Sequence, residues 1–95
     1  MSAKVRMTVN FRRAWKHLTP QMQRIVRNKI DLLVENPSHP SLNVHRLCQV
    51  REAIWVCYIS NSMRLLYEYK ADTLYLWDLG NHSIVDRVHL RRFAP

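Results

Sequence analysis

A chain of 95 residues, 47% of them hydrophobic, has room for one domain (1–95) with a modest packed core and excludes a multidomain architecture. No apolar run approaches the roughly 18 residues of a membrane helix, and "MSAKVRMTVN" lacks a leader's apolar stretch, so a soluble, cytoplasmic protein with no membrane partner is expected. Fifteen Lys and Arg, eleven of them Arg, stand against seven Asp and Glu for a formal charge of +8, which points to a polyanionic partner, although an acidic protein would satisfy the same field.

In chain order, "KVRMTV" alternates, with Val5, Met7 and Val9 on one side, and reads as a short strand. Asn10 is placed to cap the helix "FRRAWKHL", whose Phe11, Ala14, Trp15 and Leu18 form one apolar stripe. Thr19 and Pro20 open a second helix, with Met22, Ile25, Val26, Ile30, Leu33 and Val34 on its buried face. It breaks at Asn36-Pro37, because proline disfavours helical geometry in the residue before it. The segment "PSHPSLNVHRLCQVRE" has no periodicity and reads as an ordered loop. Three runs rich in branched and aromatic residues follow, at 53–59, 63–70 and 73–79, joined by turns short enough to force antiparallel neighbours. The tail from Ser83 onward is open between helix and coil. The expected fold class is α+β: an N-terminal strand, a helical hairpin over one face of a small sheet, then a three-stranded antiparallel meander. Its other face has no evident cover.

The only glycine, Gly80, ends the third run and is expected to turn sharply, through a positive φ, toward His82. If the last two runs pair as a hairpin, Arg64 arrives at the same end of the sheet as His82. A guanidinium beside an imidazole suffices to cleave a phosphodiester without a metal: the imidazole protonates the leaving 5′-oxygen and the cation stabilises the phosphorane-like transition state. The plainer alternatives are a turn histidine with one hydrogen bond and a strand-edge ion pair, for instance from Arg64 to Glu68. His45, in the loop before the meander, could take a proton from a ribose 2′-hydroxyl. His39 and His89 read as surface residues. The histidine spacings match no metal-ligand pair, and Cys48 and Cys57 match no zinc or redox spacing, so neither metal nor cofactor is expected.

Three stretches in this order, "NPSHPSLNVHRL", "IWVCYISNSMRLLYEY" and "LWDLGNHS", resemble the RelE/ParE superfamily of toxin–antitoxin toxins, in which these regions read approximately NPxxPsLxxhxLxG, W…yRxxY and lxxiGxHd. The resemblance extends over nearly the whole chain. It implies a RelE-like β-α-α-β-β-β sandwich and a metal-independent endoribonuclease that cuts mRNA on the ribosome and is neutralised by a cognate antitoxin. It assigns Arg64 to the strand arginine, His82 to the histidine of GxH, and His45 to the histidine that some branches carry before LxG. Arg46, Arg51 and Arg87 are the expected RNA contacts. Gln49, Ser83 and Asp86 depart from the pattern, at the glycine of LxG, the acidic residue after the histidine, and a terminal aromatic. Two alternatives go with the resemblance: a ParE-like toxin that binds DNA gyrase, which the histidine in "GNHS" disfavours, and an inactive antitoxin-binding homologue.

Overall fold

The computed structural model describes residues 4–47, 53–81 and 83–84. Strand β1 (Lys4–Met7) leads into helices α1 (Val9–Lys16) and α2 (Pro20–Glu35); after a 3-10 turn at Pro40–Leu42 come β2 (His45–Arg46), β3 (Trp55–Tyr58), β4 (Arg64–Lys70) and β5 (Thr73–Gly80). The α+β order expected from the sequence is observed, with one strand added. Most of the tail lies outside the described residues, as do Cys48, Gln49, Asp86 and His89.

The start of α1 differs from expectation. Its N-cap is Thr8 rather than Asn10: the Thr8 hydroxyl accepts the Phe11 amide at 3.1 Å and donates to the Trp77 carbonyl at 2.5 Å. A hydroxyl can accept and donate at once, so Thr8 both caps the helix and ties it to β5. Helix α2 begins as expected, with the Thr19 hydroxyl accepting the Met22 amide at 3.2 Å and Pro20 in the first turn, and it ends at Asn36. Its Val26 and Leu33 are fully buried.

Residues 37–47 are ordered, as expected, but hold a 3-10 turn and a short strand that the loop reading lacked. His39 caps the 3-10 turn, Leu42 is buried, and Asn43 takes a left-handed φ of 46° that asparagine tolerates. That residue redirects the chain into β2, a two-residue strand too short to show alternation in the sequence.

The strands form one sheet in the order β1-β5-β4-β3-β2. All neighbours are antiparallel except β1, which runs parallel to β5 from the Lys4–Thr73 pair to the Met7–Leu76 pair. On the edge strand β1, Val5 and Met7 are 42% and 45% exposed, and Val9, which opens α1 instead of extending the strand, is 61% exposed; the apolar side assigned to these residues is not buried. In the β4–β5 ladder Leu66 pairs with Asp78 and Tyr67 with Leu76, which leaves Trp77 as the extra residue of a bulge.

The main core lies between helices and sheet, built on Phe11, Val26, Leu33, Leu65, Leu74 and Leu76. The opposite face, expected to be uncovered, carries a second buried cluster of Leu47, Ile54, Val56, Leu66, Trp77 and Ile84. The strands therefore bury side chains on both faces, which the consecutive apolar pairs "LL" in β4 and "LW" in β5 reflect.

Candidate functional site

Arg64 opens the central strand of the sheet, and the ladder fixes its neighbours. It faces Tyr58 on β3 and Gly80 on β5. Directly opposed residues of an antiparallel ladder project to the same face, and alternate residues along a strand share it. His45 opposes Val56, two residues before Tyr58, while Asp78 precedes Gly80 by two. His45, Tyr58, Arg64 and Asp78 thus share the face turned away from the helices.

Arg64 is only 4% exposed, not at the open corner expected of a substrate clamp. A buried guanidinium needs partners. Its Nη1 donates to the Ser60 carbonyl at 2.6 Å and the Met63 carbonyl at 3.1 Å, both in the β3–β4 turn. Its central carbon stands 3.6 Å from the centre of the Tyr58 ring, a cation–π stack that fixes the plane of the fork. The His45 ring meets the same tyrosine edge-on, with centroids 6.4 Å apart and an interplanar angle of 78°. Asp78 is 5% exposed, and its carboxylate accepts the Leu79 amide at 2.8 Å. An imidazole, a phenol, a guanidinium and a carboxylate therefore occupy one end of one sheet face. Glu68, the alternative partner considered for Arg64, accepts the Trp77 indole N–H at 3.2 Å.

Among the expected site residues, His45 is exposed beside Tyr58, and Arg46 is exposed on the other face, opposite Trp55. His82, Arg51 and Arg87 lie outside the described residues. The expectation for Gly80 is corrected: it has no positive φ and still belongs to the ladder. The turn is made by Asn81, whose side-chain oxygen accepts the Ser83 amide at 2.9 Å and whose carbonyl accepts the Ile84 amide at 3.1 Å. The glycine serves another purpose there. A Cβ at position 80 would project onto the same face directly beside the Arg64 side chain. Asp78 was not singled out from the sequence; the signal that ties Tyr58 to Arg64 is its place across the "ISNSM" turn. Among the described residues no three His, Cys, Asp or Glu side chains gather as a metal site.

No protein-family model matches the chain, and no curated protein matches it significantly. Solved structures do. A metal-bound toxin from Helicobacter pylori superposes with a TM-score of 0.71 at 20% identity, covering 86% of this chain and 97% of that one. The toxin–antitoxin complex DinJ-YafQ from E. coli gives 0.74 at 12% identity, with 88% and 97% covered. The archaeal RelE-RelB complex from Pyrococcus horikoshii OT3 gives 0.69 at 16% identity, with 85% and 96% covered. A strand, a helical hairpin and an antiparallel sheet, matched over nearly the full length of each of these proteins, give this chain the fold of the RelE/ParE-type toxins.

Proposed function

We propose that the protein is the toxin of a toxin–antitoxin pair and acts in the cytoplasm as a metal-independent endoribonuclease on mRNA, engaged on the ribosome. The observation that carries this reading is Arg64 stacked on Tyr58, with His45 edge-on to the same ring, at the sheet end where β5 finishes. The fold shared with RelE and YafQ, both solved in complex with an antitoxin, supports the class and the kind of partner.

In the reaction, His45 takes the proton from the ribose 2′-hydroxyl, and the oxygen attacks the adjacent phosphorus. The P–O5′ bond breaks as His82, in its protonated form, gives a proton to the leaving oxygen. A 2′,3′-cyclic phosphate and a free 5′-hydroxyl result, so charge and protons balance. Arg64, its plane set by two carbonyls and a ring face, is the cation assigned to the phosphorane oxygens; being 4% exposed, it reaches them when the bound substrate displaces part of its cover. Arg46, Arg51 and Arg87 supply cations for the flanking phosphates.

The test is induction of the protein in bacteria followed by primer extension of bulk mRNA. New cuts should appear with the wild type and vanish with Arg64→Ala, His45→Ala and His82→Ala. Growth arrest with intact mRNA and accumulated DNA breaks would refute the nuclease reading in favour of action on gyrase.

A further inference from the structure

A cavity of about 680 Å³ opens on the helix-facing side of the sheet, between the loop 37–44 and the aromatic side chains of Trp55, Tyr67 and Tyr69. Trp55 and Tyr69 are half-buried there. Among the described residues its lining carries no Lys, Arg, Asp or Glu. That composition disfavours a phosphate or carboxylate inside it and suits a neutral, planar group with a polar rim. Polar edges are available. His39 accepts the Ser41 amide at Nδ1 (3.1 Å), which leaves Nε2–H as the donor of its neutral ring, and the Asn43 amide lines the same wall.

The cavity joins the candidate active site through β2, an edge strand of the sheet. Val44 lines the cavity, and the next residue, His45, stands on the opposite face against Tyr58. Arg46, exposed, is the ladder partner of Trp55 and so shares the cavity's face. A neutral aromatic recess, an arginine at its side and a histidine one residue away, around the sheet edge, are the parts a single RNA strand needs to round that edge.

We propose that the cavity seats one unstacked RNA base, flanking the linkage presented to His45 and Arg64, with Trp55 and Tyr69 as stacking surfaces and Arg46 on the adjoining phosphate. The inference rests on the RNA reading above and adds to it a base-binding subsite on the far side of the sheet edge.

The probe is a single-stranded hexanucleotide with every ribose 2′-O-methylated, titrated into the full-length 15N-labelled chain so that no cleavage intervenes. The Trp55 indole N–H resonance should shift and saturate. An abasic residue at one position of the hexamer should weaken binding about tenfold, the usual size for one base–aromatic stack. Trp55→Ala should lose the same tenfold and then respond to the abasic residue no further, whereas Trp55→Phe, which keeps a ring, should bind nearly as well as wild type. A Trp55 resonance that stays still while RNA binds elsewhere, an abasic series without effect on the wild type, or no binding of the hexamer would each overturn the subsite. The nuclease reading fails separately: a wild-type protein that never cuts unmodified RNA, yet shows the Trp55 shift and the abasic penalty, leaves the subsite standing.

Discussion

At the scale of single residues, the site depends on a guanidinium whose plane is set by its surroundings. Arg64→Lys keeps the positive charge but loses the fork that reaches the Ser60 carbonyl while stacking on Tyr58. Cleavage should fall about 100-fold, within the range seen when one transition-state donor is removed. Tyr58→Phe should keep most activity because the ring remains; Tyr58→Ala should approach the Arg64→Lys value. Equal activity in all of these variants, measured as cut RNA per unit time, would remove Arg64 from the mechanism. Cys57 makes a different point. Burial in the main core pushes its thiol from the ordinary 9.0 up to about 12, against a smaller opposing effect of Lys29. In alkali the unfolded chain therefore loses this proton first and binds fewer protons than the native state. The contribution of Cys57 to stability should be constant below pH 9 and decline as pH rises from 9 toward 12, by at most about 1.4 kcal/mol per pH unit. Denaturant titrations of wild type and Cys57→Ala across this range should diverge; parallel curves would contradict the burial of the thiol.

At the scale of elements, the Thr8 hydroxyl links α1 to β5 through two hydrogen bonds. Thr8→Ala should cost about 1–2 kcal/mol, and Thr8→Ser should restore most of it. The β4–β5 hairpin holds Ala71 at a φ of 55°, a left-handed conformation that costs a Cβ-bearing residue about 1 kcal/mol. Ala71→Gly should raise the unfolding midpoint, and a lowered midpoint would contradict the turn geometry. The two helices differ in how far the sequence announced their ends. Thr19-Pro20 and Asn36-Pro37 announced both ends of α2, because caps and proline act through neighbouring residues alone. Thr8 won over Asn10 through a long-range bond to Trp77, which no local rule reveals. Strand β2 was missed for a related reason: its existence depends on β3 beside it, not on its own two side chains. The β4–β5 pairing was readable from a two-residue turn, but the bulge at Trp77 that burials on both faces accompany was not.

At the scale of the molecule, the folding pattern brings together residues from three different strands: His45, Tyr58 and Arg64 meet on the sheet face opposite the helices, beside the end of β5. The sequence pointed to Arg64 and His45 as separate candidates, whereas their common ring, Tyr58, emerged only from the ladder register. The excess of +8 charges belongs to this scale too. Binding of RNA should weaken steeply with salt, log affinity falling linearly with log salt concentration at about −0.7 per phosphate neutralised on a single strand. Arg46→Ala should flatten that slope by about one phosphate, and an unchanged slope would take Arg46 out of the RNA path. The central claim, that this face cleaves a ribose–phosphate linkage by attack of the neighbouring 2′-oxygen, is tested most directly by substrate chemistry. An mRNA carrying a single 2′-deoxyribose at the mapped cut site, presented on the ribosome, should remain intact there, while its unmodified counterpart is cut to leave a 2′,3′-cyclic phosphate and a 5′-hydroxyl. Cleavage at the deoxyribose, or products ending in a free 3′-hydroxyl, would contradict the account.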